Sequence, residues 1–399
     1  MRTTWTFHSA GQLLFGRNAA QQLGEVTTRL GAKRILIVTD PILMKAGLAE
    51  RIRVPLTSVT TEMFGEGEPE PSMKAADACI ALAKRFKPDA LVGLGGGSNM
   101  DLAKITATVL AHGGSPRDYA GDDKIPGPIA PLICMPTTAG TGSEVSAAAV
   151  LTDTENKIKV GILSNYLRPR VAIVDPLLTV SCPAKVTADS GIDALTHAIE
   201  AYTAVDNAEF PLPVGERSVY QGKHPLGDVM AEKAIALIGA NLRRAVKDGN
   251  DLSARDGMAL GATLAGLAFS NVGVALVHAL EYPVGGATHC SHGAGNGLLL
   301  PFVMRFNQPA RIKEFAAIAR LLGEDVTGLT ETQAADRAIL AVEKVRNDIG
   351  IPKQLSDLGV RPEQLRPFAD KAFGIKRILR VNPRQMTVQD LEEILRSAL

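Results

Sequence analysis

Along roughly the first 180 positions, short apolar runs alternate with segments of helical period. Leu13-Leu-Phe-Gly16, Arg34-Ile-Leu-Ile-Val-Thr39, Asp89-Ala-Leu-Val-Gly-Leu94, Leu132 to Met135 and Val171-Ala-Ile-Val174 predict strands, as does Thr4 to Phe7. Most of these runs are continuous rather than alternating, which is the pattern of parallel strands buried on both faces. Between them, Ala19 to Leu30 and Ser72 to Phe86 carry apolar residues at helical spacing, and residues 45 to 64 read as helix then strand. Gly65-Glu-Gly-Glu-Pro-Glu-Pro71 reads as a loop, because its prolines and acidic charges suit neither element.

Pro183 opens a different regime. Helical period then covers 184–204, 228–248, 252–272, 294–307, 309–322, 331–348, 355–372 and 387–398, and residues 206 to 225 form a long loop. The expected fold is therefore an α/β domain with a Rossmann-like parallel sheet over residues 1–180, followed by an all-α domain over residues 181–399.

Composition narrows the function. Forty-three basic against forty-two acidic residues leave a net charge of +1, with no basic or acidic block, so no nucleic-acid or anionic-membrane partner is expected. Cys79, Cys134, Cys182 and Cys290 are widely spaced, which predicts reduced thiols rather than a disulfide framework or a thiolate zinc site. The start, Met-Arg-Thr-Thr-Trp-Thr-Phe-His, lacks the apolar core of a secretory signal and the pattern of a transit peptide, so a cytoplasmic location is expected.

Candidate chemistry lies in a few stretches. In Asp189-Ser-Gly-Ile-Asp193-Ala-Leu-Thr-His197-Ala-Ile-Glu200, a carboxylate and an imidazole four residues apart share one helix face. His278, His289 and His292 follow about eighty residues on, and the chain has seven histidines in all. One carboxylate with imidazoles and no thiolate suits a divalent first-row ion and can leave a position open for substrate. Gly95, Gly96 and Gly97, followed by Ser98 and Asp101, stand between a strand and a helix, where free backbone N–H groups can hold a pyrophosphate; Ser98 and Asp101 are expected to cap that helix. Thr137, Thr138 and Ser143, in a second small-residue loop, can cover the adenine and phosphates from the other side, or form an ordinary polar turn. Asp40 ends a strand, where an acid binds a ribose diol and repels a 2′-phosphate; capping the Pro41 segment is an equal reading.

Taken together these segments, with Thr39-Asp40-Pro41, Phe269-Ser-Asn-Val-Gly273 and Asn382-Pro-Arg384, resemble the iron-dependent (group III) alcohol dehydrogenases, in that family's order over nearly the whole chain. The resemblance implies a dehydroquinate synthase-like architecture. It implies Asp193, His197, His278 and His292 as metal ligands, Fe(II) first and Zn as the alternative. It implies NAD rather than NADP as cofactor, with Lys159 (Lys157 being the other candidate) at the nicotinamide ribose. Phe269 is expected to line the substrate pocket. Tyr282 occupies the position where many family members place a proton-relaying histidine. The implied reaction is hydride transfer between a primary alcohol, or a hydroxy acid, and its carbonyl product, in a homodimer or higher homo-oligomer. The long loop and Tyr282 also resemble a hydroxyacid-oxoacid transhydrogenase branch, which is the alternative expectation. Arg377 and Arg380, ahead of Asn382, are candidates to clamp a substrate carboxylate, whereas His224 is expected at the surface.

Overall fold

The computed structural model describes residues 2–154 and 158–399. It divides into two compact units: His8–Ser181, and Cys182–Leu399 together with Met1–Phe7.

The first unit is α/β. Strands β1 (Leu13–Phe15), β2 (Arg34–Val38), β3 (Thr60–Phe64), β4 (Ala90–Gly95), β5 (Gly121–Asp122), β6 (Leu132–Pro136), β7 (Ala148–Asp153), β8 (Ile158–Leu163) and β9 (Val171–Val174) form two sheets. Six strands in the order β1-β9-β6-β4-β2-β3 run parallel throughout. The central strands are buried along their whole length, as their continuous apolar sequences predict, and separate hydrophobic clusters cover the two faces. The smaller sheet, β5-β8-β7, contains an antiparallel β7–β8 pair that the hydrophobic pattern does not reveal.

Asp40 follows β2, and Gly95 ends the neighbouring strand β4. Ser72 caps the Met73–Phe86 helix through Ala75 N as expected. The capping box expected at the glycine loop is absent. The Gly97–His112 helix has Gly96 as its N-cap, with no side-chain cap. Asp101 points inward instead, where its oxygens accept from Ser143 Oγ (2.7 Å) and Val150 N (2.9 Å). Lys104, with no exposed surface, donates to Ser143 Oγ, Ser146 Oγ and the carbonyls of Ser146 and Ala148. Burial lowers the pKa of Lys104 and raises that of Asp101, each opposed by the other's charge. This cluster pins the 143–150 segment to the helix.

The second unit is helical, and its principal helices are Ala184–Thr203, Pro225–Lys247, Leu252–Val272, Leu276–Thr288, His292–Asn307, Ile312–Leu321, Glu331–Asp348, Leu365–Phe373 and Val388–Ser397. Leu276–Thr288 escapes the periodicity because it contains Pro283 and two glycines, yet its face toward the core is buried. No strand forms at residues 4–7, and Met1–Phe7 belongs to the helical unit rather than the expected α/β domain. The reason is local: Thr6 exchanges two hydrogen bonds with the Gln221 side chain, and Trp5 stacks on His224 with ring centroids 4.6 Å apart. His224 is accordingly buried, not at the surface. It caps the Pro225–Lys247 helix by accepting from Gly227 N, and burial lowers its pKa to about 4.

Candidate metal centre

Asp193 and His197 lie one turn apart on the buried face of the Ala184–Thr203 helix. The His292–Asn307 helix packs closely on it through glycine. A Cβ on Gly293 would stand 2.0 Å from the Asp189 carbonyl oxygen, and one on Gly297 would stand 2.6 Å from Ile192. Ser291 caps the second helix and also donates to Asp189 Oδ2 at 2.6 Å, which fixes where His292 begins.

The four side chains predicted from the sequence come together. One ligand atom each of Asp193, His197 and His278 lie within 4.8 Å of one another, all on buried residues. His292 Nε2 is 4.0 Å from Asp193 Oδ1, and His278 Nε2 is 3.9 Å from the same oxygen. His197 is held between rings, stacked on Phe269 at 4.2 Å and on His278 at 4.8 Å. Phe269 therefore lies beside the cluster. Tyr282 has its ring centroid 6.1 Å from that of His292. His289 is exposed, in the left-handed conformation that ends the Leu276–Thr288 helix.

Two further carboxylates complete the cluster, and sequence reasoning overlooked their roles. Glu200 Oε2 accepts from His278 Nδ1 at 2.6 Å, and the same carboxylate accepts from Ala275 N and Val277 N, the N-terminus of the helix that carries His278. Glu281 Oε2 accepts from His292 Nδ1 at 2.5 Å and is wholly buried. Each bond sets the imidazole tautomer, leaving an Nε2 lone pair directed at Asp193. The available signal was an acid within one turn of a candidate histidine: Glu200 follows His197 by three residues, and Glu281 follows His278 by three.

The electrostatics fit a cation. Burial drives the His197 pKa down to about 4, so its imidazole is neutral at neutral pH. Burial alone would raise the Asp193 pKa, but the three imidazoles and the Asn296 amide outweigh it and hold the carboxylate ionised. An ionised carboxylate among three imidazoles, with His197 Nδ1 buried and unpartnered, is a donor set suited to a divalent ion.

In the α/β unit, Asp40 Oδ1 accepts from Ile42 N and Leu43 N as the helix cap, while Oδ2 accepts from Asn99 Nδ2 at 2.6 Å. Gly95 has φ +144, and a Cβ there would meet Asn99. Gly96 and Gly97 present bare backbone toward Thr138 and Thr141. Thr137 N donates to Gly95 O, so the two small-residue loops are joined. Ser98 Oγ accepts from Glu70 N, and Glu70 pairs with Lys159 Nζ at 2.8 Å. Lys157 lies outside the described residues. An uncapped helix N-terminus lined by glycines suits a pyrophosphate.

Comparison with known proteins decides the family. Residues 10–176 match the iron-containing alcohol dehydrogenase model, and residues 214–399 match that of the Fe-containing alcohol dehydrogenase family, C-terminal. The chain belongs to the iron-containing alcohol dehydrogenase family. It is 39% identical to the NAD-dependent methanol dehydrogenase of Bacillus methanolicus, over 97% of each chain. It is 40% identical to long-chain-alcohol dehydrogenase 1 of Geobacillus thermodenitrificans, over 96% of this chain and 94% of the relative. The crystal structure of 1,3-propanediol oxidoreductase superposes with a TM-score of 0.93 at 38% identity, covering 99% of this chain and all of that one. Membership makes it a metal- and nicotinamide-dependent alcohol oxidoreductase. Among the described residues no single helix is long and apolar enough to cross a membrane.

Proposed function

We propose that the enzyme oxidises primary alcohols to aldehydes, reversibly, with NAD as hydride acceptor and Fe(II) held by Asp193, His197, His278 and His292. The observation that carries this reading is the convergence of one ionised carboxylate and three imidazoles, two of them backed by buried carboxylates. A divalent ion in such a set supplies Lewis acidity that lowers the pKa of an alcohol, and the nicotinamide supplies the hydride acceptor.

The protein's own groups do the rest. Glu200 and Glu281 hold His278 and His292 in register. Phe269, flat on His197, supplies an apolar wall for the substrate's alkyl part. Tyr282, near His292, is placed to pass a proton through its hydroxyl. Gly95, Gly96, Gly97, Ser98, Thr137 and Thr138 form the pyrophosphate cradle with Lys159 beside it, and Asp40 faces the adenosine ribose. Asp101 and Ser143 support that cradle from beneath, being bonded to each other.

The relatives named above are dehydrogenases and oxidoreductases, so nothing in them supports the transhydrogenase alternative. Arg380 is paired with Glu216 at 2.9 Å, so its guanidinium is already engaged and is not an open clamp for a substrate carboxylate. The test is a panel of alcohols, diols and hydroxy acids assayed for NADH formation by metal-depleted enzyme, with and without added Fe(II) or Zn. Turnover of primary alcohols restored by the ion is the expected result, and full turnover without metal would exclude the reading.

A further inference from the structure

Asn296 lies one turn after His292 on the same helix and has no exposed surface. Its Nδ2 stands 2.8 Å from Asp193 Oδ1, 3.2 Å from His278 Nε2 and 3.1 Å from His292 Nε2. A carboxamide nitrogen carries two N–H bonds, so it cannot serve three acceptors fully. Its Oδ1 is buried and has no hydrogen-bond partner. One end of the group is thus oversubscribed and the other unsatisfied, inside the donor set proposed above to hold the metal.

The two ends of the group have opposite chemistry. Lone pairs on a carboxylate oxygen and two imidazole nitrogens can be drawn together by N–H donors or by a cation, and a cation repels N–H while accepting a carboxamide oxygen as a hard ligand. Oxygen and NH2 are almost the same size, so half a turn about the last side-chain torsion exchanges them in the same space.

We propose that Asn296 is a two-way member of the metal site: its Nδ2 holds Asp193, His278 and His292 together without a cation, and its Oδ1 turns toward the cation when one binds. The inference rests on the ligand assignment proposed above. Its consequence is a site that stays assembled while empty of metal and gains a fifth protein oxygen or nitrogen donor on loading.

The experiment compares the full-length wild type, Asn296→Asp and Asn296→Ala. Each is stripped with a chelator and reloaded with Zn(II), and both the melting temperature and the Zn(II) Kd by competition with a chromophoric chelator are measured. Asp is isosteric but has no N–H, so it places a second carboxylate against Asp193. The metal-free melting temperature of Asn296→Asp should fall, its rise on loading should exceed that of wild type, and its Kd should tighten. Asn296→Ala should lose metal-free stability and bind Zn(II) about tenfold more weakly, the lower end of what supporting polar groups contribute. If both variants keep the wild-type Kd and the wild-type rise on loading, Asn296 is a packing residue and the inference is overturned. If wild type itself shows no rise with Zn(II), or His278→Ala binds as tightly, the ligand assignment fails first; a normal wild type with unresponsive Asn296 variants sinks only the present proposal.

Discussion

Glu281 and His292, eleven residues apart on successive helices, meet at 2.5 Å, with the carboxylate wholly buried and the imidazole about one-third exposed. His292 stands at the first position of its helix and is the most exposed of the four candidate ligands, and this bond helps aim its Nε2 at Asp193. Glycine makes room for the acid: a Cβ on Gly285 would come within 2.2 Å of Glu281 Oε1, and one on Gly295 within 2.8 Å of its Cγ.

Glu281→Gln keeps a hydrogen-bonding partner but removes the charge, and Glu281→Ala removes both. Metal affinity should fall in that order, by roughly 10–100-fold for Ala, as expected when a carboxylate behind a ligand histidine is lost. Chelator competition measures it, and an unchanged Kd in both variants would count against the assignment. Glu200→Ala should in addition lower the melting temperature, because Ala275 N and Val277 N lose their acceptor.

His197→Ala and His278→Ala should lose bound metal and nearly all turnover while NAD binding persists, since Gly95 to Ser98 and Asp40 belong to the other compact unit. Metal analysis of the purified variants, with NAD titration by fluorescence, separates the two. Wild-type turnover by metal-free His278→Ala would refute the ligand set.

Asp40→Ser keeps a helix-capping oxygen but removes a negative charge bonded to Asn99. The preference for NAD over NADP should relax by about 1–2 kcal/mol, a partly screened charge effect. Kinetics with both cofactors give the ratio. If it stays fixed while only thermal stability changes, Asp40 is a cap and nothing more.

His224 carries a pH dependence of known sign. Its folded pKa of about 4 lies below the ordinary 6.5, so between those values the unfolded chain binds the extra proton. Stability contributed by keeping it neutral is intact above pH 6.5 and is lost as pH falls through about 4. His224→Asn, whose side-chain oxygen can replace Nδ1 as the capping acceptor, should shrink the difference in melting temperature between pH 7 and pH 5. An equal difference in both proteins would show that His224 does not titrate on unfolding.

Local pattern determined much of this protein. Continuous apolar runs specify β2, β4, β6 and β9 as buried parallel strands, because burial on both faces leaves no polar alternation. The Asp193-to-His197 spacing specifies a shared helix face, and the glycines after β4 specify a strand-to-helix turn with free N–H groups. Contacts between distant segments were decided only by tertiary structure. Asp101 and Ser98 read as a capping box, yet the helix starts one residue before Ser98, and Asp101 is worth more against Ser143 and Val150 N, forty and more residues away. His224-Pro225 looks like surface until Trp5 stacks on it. Glu200, Glu281 and Asn296 carry no motif of their own. Their meaning comes from packing that places each beside a histidine or carboxylate of another helix, and in a buried, poorly solvated site each such hydrogen bond must be found there because water cannot supply it.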